Sequence, residues 1–361
     1  MLIDLRTDFV STPTEEMIEA MARAARQPPS FGLRDDPIVA ELEALAAQTL
    51  GKEDTLFCAT CAAANQIAIH LHCRPGEAIV AEAGAHIITS EAGAHAALSG
   101  TVIHPLSAHP AVPRPGEVES AFSPAVPQRS RSALLWLENT HVGSGGTVLS
   151  REFMHEMILC ARQGGAHAHL DGSRIFNAAA ALGASAAEVG REFDSVAASL
   201  NKGLGAPMGA VLAGSRAFIG QATRVRQMFG GGWRPAHIPA AAAIVALRTM
   251  VDRIADDHAR ARELAAGLRG IEGLQVDLGQ VQTNIVFVGL KSTFQAPALV
   301  ELLRQRGVLA MQLAPDRLRL VLWHGIGRLQ VDRTVEAFRD ALHHALTATA
   351  AAPQRTHPIH K

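Results

Sequence analysis

Lys202 stands in Ser199-Leu200-Asn201-Lys202-Gly203-Leu204-Gly205-Ala206-Pro207-Met208-Gly209, directly after the apolar run Ser195-Val196-Ala197-Ala198. A lysine at the end of a buried strand, followed by a turn broken by glycine and proline, is costly unless its amine is used. Desolvation lowers a lysine pKa, and a neutral amine condenses with an aldehyde to a Schiff base. Upstream, Leu170-Asp171-Gly172-Ser173-Arg174 ends a second apolar strand in an aspartate. The pair suits pyridoxal phosphate, whose aldehyde needs a lysine and whose pyridine nitrogen needs a carboxylate to keep it protonated.

The elements around these two residues read as α/β. Alanine-rich helices alternate with short apolar strands, the pattern of a mainly parallel sheet covered on both faces. Strands are expected at 55–58, 78–81, 101–104, 133–137, 166–170, 195–200 and 210–213. Thr12-Pro13-Thr14-Glu15 reads as a capping box with proline at the first helical position, for a helix that stops before Pro28-Pro29. Asp36-Pro37 starts another helix, ending near Gly51. A long helical stretch from about Ala240 to Leu268 then leads into a smaller α+β unit, with strands at 284–288 and 317–322 and helices at 296–306 and 332–347. The expected division is a large domain over 1–245, including the N-terminal segment, a small domain over 246–349, and a loose tail over 350–361 that carries His357 and His360.

Composition narrows the class. With 361 residues, 48% hydrophobic and a formal net charge of −1, the chain can build a large core and has no electrostatic footprint for nucleic acid or an anionic membrane. No stretch approaches the roughly 18 strongly apolar residues of a membrane helix, and Met1-Leu2-Ile3-Asp4-Leu5-Arg6 is not a signal peptide. Cys58, Cys61, Cys73 and Cys160 do not suggest a disulfide framework in a chain this long, so the expected compartment is the cytoplasm. Cys58-Ala59-Thr60-Cys61 is formally a C-x-x-C, but it lacks a second ligand pair for zinc and a thioredoxin-like context for redox chemistry; no metal site is expected.

Ligands of open parallel sheets bind beyond the carboxyl ends of the strands. Thr60-Cys61-Ala62, Glu138-Asn139-Thr140-His141, Asp171 and Lys202 all fall at such ends. With Asp4-Leu5-Arg6-Thr7-Asp8, Leu137 to His141, Asp171 to Asn177, Lys202 to Gly209 and Gly230-Gly231-Gly232-Trp233-Arg234, the sequence resembles the threonine aldolase and β-eliminating lyase family of fold type I pyridoxal phosphate enzymes. The resemblance runs from Ile3 to about Asp340.

That resemblance implies roles. Lys202 is the aldimine lysine and Asp171 the partner of the pyridinium nitrogen. Arg174 binds cofactor and substrate carboxylate, His86 stacks on the cofactor ring, and His141 touches the substrate hydroxyl. Glu91 is either an acid behind these groups or merely a helix residue. Cys61 and Ala62 offer backbone amides to the phosphate from a helix N-terminus, and Arg234 adds charge from a neighbouring subunit. A homodimer or homotetramer with shared active sites follows. Thr7 and Arg319 are expected at the substrate carboxylate, with Arg317 open as an alternative to Arg319. The implied activity is cleavage of β-hydroxy-α-amino acids, such as threonine or allo-threonine, to glycine and an aldehyde. The alternatives are β-elimination from a substituted alanine and a degenerate member without turnover.

The sequence departs from the family pattern at several positions. Cys61 and Ala62 replace glycine and threonine, so a hydroxyl donor to phosphate is lost. Leu33-Arg34-Asp35-Asp36-Pro37 lacks the usual tyrosine, Phe9 replaces a threonine, Asn201 a serine and Gln227 a lysine.

Overall fold

All seven runs read as strands of the main sheet form it, in a computed structural model that describes residues 2–32, 34–107, 114–122, 126–291 and 295–351. A short strand β1 (Ile3–Asp4) precedes them. The sheet comprises β2 (Asp54–Cys58), β3 (Ala78–Glu82), β4 (Val102–Leu106), β5 (Ser132–Glu138), β6 (His167–Gly172), β7 (Ser195–Ser199) and β8 (Ala210–Gly214), in the order β2-β8-β7-β6-β5-β3-β4. Only β8 opposes the common direction, pairing antiparallel with β2 and β7. Every residue of β3, β7 and β8 is buried, the condition that makes strands of a covered sheet read as unbroken apolar runs.

Alternation along the strands sends neighbouring residues to opposite layers. Val196, Ala198, Val211 and Ala213 join the large core with Leu42, Ala46 and Leu50 of helix α2 (Pro37–Leu50). Ala197 and Leu212 face the other way, onto Ala64, Ile67 and Ala68 of helix α3 (Cys61–His72). Asp36 caps α2 through Ile38 and Val39, and Gly51 ends it at φ 63°, a left-handed conformation suited to glycine.

Two helical expectations are corrected. The first helix is Glu15–Ala24, capped by Thr14, whose hydroxyl accepts from Met17 N; Thr12 is not its cap. Proline at 13 biases Thr12 toward extended backbone, and the Thr12 carbonyl is taken by His324 Nε2 at 2.8 Å. The single long helix near 240–268 is two, His237–Thr249 and Ile254–Arg269. Pro239 lies in the first turn of the former, where its missing N–H breaks no bond.

A second core gathers Leu264, Leu268, Val286, Val288, Leu303, Leu318, Leu320 and Phe338. Its sheet contains β9 (Leu274–Gln275) and β10 (Ile285–Leu290), with β12 (Met311–Ala314) and β13 (Arg317–Val321), antiparallel in the order β12-β13-β10-β9; β11 (Val308–Leu309) pairs parallel with β1. Ile3 and Leu5 belong to this core, so the N-terminal segment packs with the C-terminal half of the chain and delivers Thr7, Asp8 and Phe9 to the seam between the two cores. The last helix is Arg328–Ala351, longer at both ends than expected; the tail beyond it, with His357 and His360, lies outside the described residues, as does Leu33. Among the described residues no helix is long and apolar enough to cross a membrane.

Candidate active site

The register of the sheet sets two carboxylates side by side. Glu138 at the end of β5 is the direct partner of Asp171 on β6, and Asp171 in turn pairs with Ala197 on β7. Lys202 follows β7 by three residues, in a turn where Gly205 N donates to the Lys202 carbonyl at 2.9 Å and Gly205 takes φ 74°. The lysine is buried, and among the described residues Nζ makes no hydrogen bond; it lies 4.9 Å from the centroid of the Phe9 ring. Burial, and then the nearby Arg174 guanidinium, pull its pKa below the ordinary lysine value.

Asp171 is the opposite case. Burial pushes its pKa up, but Lys202, His86, the Asn65 amide and the Ser173 backbone N–H outweigh it and hold the carboxyl below the usual range. Asn65 Nδ2 donates to Oδ2 at 2.9 Å and Ser173 N to Oδ1 at 3.0 Å. The result is an ionised carboxylate beside a partnerless amine, as an aldehyde cofactor with a ring nitrogen requires.

His86 and Glu91 close one side. His86 Nδ1 lies 2.9 Å from Glu91 Oε1, and this bond is the main reason its pKa is raised. Glu91 is buried and also receives Asn65 Nδ2 at 2.9 Å and Gln66 Nε2 at 2.7 Å, so it is an acid behind the histidine, not a surface helix residue. One ligating atom each of His86, Glu91 and Asp171 lie within 4.8 Å of one another.

His141 closes the other side. Its Nδ1 lies 2.9 Å from Ser144 Oγ, and its Nε2 lies 2.9 Å from Glu82 Oε2 and 3.7 Å from Glu138 Oε2. Burial opposes charging this imidazole, but the two glutamates prevail and its pKa is raised. Burial and then the neighbouring Asp171 push Glu138 up to about 7, while its carboxylate accepts from the His86 backbone N–H. Glu138 thus gains or loses its proton near neutrality, buried beside His141.

Arg174, at the start of the helix Ile175–Leu182, is buried and clamps Asp8 through Nε at 2.8 Å and Nη2 at 2.6 Å. Two of its five N–H groups are thereby committed and the guanidinium is fixed in direction. Arg319 on β13 reaches the same seam: burial, then Arg174, lowers its pKa, and its buried Nε has no hydrogen-bond partner among the described residues. Its Nη2 donates to the Arg6 carbonyl at 3.3 Å. Arg317 is exposed and lines a separate cleft with Arg269, Asp277 and Gln280. Thr7 caps a short turn by accepting from Phe9 N.

Cys61 and Ala62 open α3, but Thr60 Oγ1 is occupied by Ala63 N at 3.0 Å and the Cys61 thiol points to Asp171 Oδ1, 4.0 Å away. The Thr60 O–H proton and the backbone amides remain for an anion there. Asn201 Oδ1 accepts from Ser199 Oγ, Gln227 is exposed, and Arg34 is held by Glu43 and Asp54. Arg234 is exposed, with its guanidinium 5.7 Å from the Phe31 ring, and is not among the groups acting on Lys202 or Asp171. Sequence reasoning gave no role to Asn65, Glu82 or His169; the pattern His169-x-Asp171 in an otherwise apolar strand is the one signal that pointed to a buried polar layer.

Comparison with known proteins agrees with this geometry. Residues 4–291 match the family model described as beta-eliminating lyase. The chain is 35% identical to low-specificity L-threonine aldolase 1 of Arabidopsis thaliana over 98% of this chain and 99% of that protein. It is 37% identical to the low specificity L-threonine aldolase of Escherichia coli K12, over 94% of this chain and 98% of that one. A solved Leishmania major threonine aldolase superposes with a TM-score of 0.82 at 20% identity, covering 94% of this chain and 99% of the other. The chain therefore belongs to the β-eliminating lyase and threonine aldolase family.

Proposed function

We propose that this protein is a pyridoxal phosphate-dependent carbon–carbon lyase that cleaves β-hydroxy-α-amino acids of the threonine and allo-threonine kind to glycine and an aldehyde. The observation that carries this reading is the buried, unpaired Lys202 amine beside ionised Asp171, flanked by proton-sharing groups on both sides. The relatives named as threonine aldolases support it. When bound, the cofactor supplies an electron sink for the charge left on Cα as the Cα–Cβ bond breaks.

The chain's own residues do the rest. Lys202 is the amine for the cofactor aldehyde, and its depressed pKa favours the neutral, nucleophilic form. Asp171 keeps a proton on the ring nitrogen. His86 lies against the ring, oriented by Glu91. The β-hydroxyl proton passes to the group formed by His141, Glu82 and Glu138, whose carboxyl near 7 is suited to exchange at neutral pH. Arg174, aimed by Asp8, and Arg319, with its unpaired Nε, receive the substrate carboxylate with Thr7.

The amides that open α3 would hold the cofactor phosphate, with Arg234 supplied by a second copy of the chain. The protein is thus a homodimer or homotetramer with shared sites, which accords with Arg234 facing solvent within one chain. We read the chain as a large unit over 1–245 and a smaller one over 246–349, and assign it to the cytoplasm, where its four free cysteines would stay reduced.

Incubation with threonine and allo-threonine tests the reading: glycine and acetaldehyde are expected, together with a visible absorbance band that is lost in Lys202→Ala. Pyruvate and ammonia from a β-substituted alanine, without aldol cleavage, would overturn it.

A further inference from the structure

Asn65 places one nitrogen between two carboxylates. Its Nδ2 donates to Asp171 Oδ2 and to Glu91 Oε1, both at 2.9 Å, so its Oδ1 must face the other way. There Oδ1 meets His169 Nε2 at 3.2 Å. An amide oxygen only accepts, so the His169 proton is on Nε2. His169 is fully buried, and burial pushes its pKa down to about 4; the ring is neutral and Nδ1 is a bare acceptor. Ser195 Oγ, 2.7 Å from Nδ1, therefore donates its proton there. The remaining contact of Ser195 Oγ is His72 Nε2 at 2.7 Å, which must be a donor.

Each link dictates the direction of the next, and the chain ends at the far edge of the sheet. Ser195 opens β7, whereas Lys202 follows its end. His72 ends α3, stacked between the rings of Phe218 and His167, with centroids 4.8 and 4.7 Å away, and lines a surface cleft with Lys52 and Asp194.

We propose that His72 is a positioning residue for Asp171, acting through the one-directional chain His72–Ser195–His169–Asn65 from the opposite end of the sheet. Without the His72 donor, the Ser195 proton is no longer committed to His169, and His169 can take the other tautomer, with a bare Nε2 facing the Asn65 oxygen. The amide keeps its two carboxylate bonds, but its oxygen then faces a bare nitrogen at the 3.2 Å contact. Two opposed lone pairs push Asn65 out of place and weaken its charge-assisted bond to Asp171. The consequence is felt at the group that bonds Asp171, the ring nitrogen of pyridoxal phosphate; the inference rests on that reading of the cofactor.

The test titrates full-length, cofactor-stripped protein with pyridoxal phosphate, following fluorescence, and repeats it with a phosphorylated analogue whose ring carries carbon in place of nitrogen. His72→Leu is expected to weaken pyridoxal phosphate binding about fivefold to tenfold. His72→Gln, which keeps an N–H near the same place, should stay within about twofold of wild type. Ser195→Ala, which cuts the chain in its middle, should match His72→Leu. For the carbon-ring analogue all variants should bind as wild type does. Equal losses in His72→Leu and His72→Gln, no loss in Ser195→Ala, or a loss that persists with the analogue would each overturn the inference. A wild-type protein that does not bind pyridoxal phosphate would overturn the cofactor reading along with it.

Discussion

The ring end of the site and its phosphate end are built on different terms. At the ring end the groups around Lys202 are held by partners in the same chain: Asp171 by Asn65, His86 by Glu91, His141 by Glu82, Arg174 by Asp8. At the phosphate end a single chain offers a helix N-terminus, with a capping hydroxyl that accepts from Ala63 N, and an arginine that faces solvent. A ring and an aldehyde need a few groups held at fixed angles, which one rigid sheet can supply. A dianion needs positive charge, and the cation that acts on Cys61 is Lys202, whose amine the aldehyde takes. The ring end thus draws its partners from one chain, whereas the proposed function has a second copy complete the phosphate end.

The largest effect should come from breaking the ring end. Lys202→Ala removes the only amine in the cluster, and aldol cleavage should fall at least about a thousandfold, with loss of the visible band. Asp171→Ala should cost nearly as much in turnover while melting temperature changes little; near-normal kcat would break the assignment. If the comparison holds, neither defect is repaired by adding excess cofactor.

Phosphate-end variants should behave in the opposite way. Arg234→Ala should weaken pyridoxal phosphate binding by about tenfold to a hundredfold, with activity recovering at high cofactor. Because Arg234 is proposed to serve the neighbour's site, mixing subunits of Lys202→Ala and Arg234→Ala should restore roughly a quarter of wild-type activity at limiting cofactor. No recovery after subunit exchange would place both ends in one chain.

What was legible in the sequence follows the same division. Asp171 and Lys202 stand out because each closes an apolar run, and a covered parallel sheet makes such runs nearly unbroken. Strand positions were readable to within one or two residues for that reason. Cap identity was not: Thr12 and Thr14 offer the same hydroxyl, and only the contact from His324, far along the chain, separates them. Partners were equally hidden. Asp8 and Arg174 are 166 residues apart, and Asn65 reads as one more residue of an alanine-rich helix until α3 is laid against β6. The direction of the Cys61 thiol, toward Asp171, is likewise a matter of tertiary packing.

A pH measurement sharpens the ring end alone. Burial and then Asp171 raise Glu138 from its ordinary 4.5 to about 7, so the folded protein holds that proton more tightly than the unfolded chain. Its stabilising contribution is complete below about 4.5 and is lost as pH rises through about 7. Glu138→Gln keeps an oxygen for the His86 N–H and removes the titration. Urea unfolding of cofactor-free protein should show the variant gaining on wild type between pH 5 and 8, by about 2 kcal/mol. A pH-independent difference would mean that the carboxylate is already ionised throughout.

The smallest effect tests whether the phosphate end is weak for the reason given. Ala62→Thr places a hydroxyl in the first turn of α3, beside backbone amides that have no intrahelical acceptor. A hydrogen bond to a charged oxygen contributes about 1.5 kcal/mol at the low end, which is about tenfold in affinity. β-Branching at this half-buried first-turn position costs only a few tenths of a kcal/mol in helix propensity, so the hydroxyl should win. Pyridoxal phosphate should bind the variant up to about tenfold more tightly by equilibrium titration, with kcat at saturating cofactor unchanged. Should kcat move and affinity not, Ala62 would belong to the ring end, and the boundary between the two regions would have to be drawn on the far side of α3.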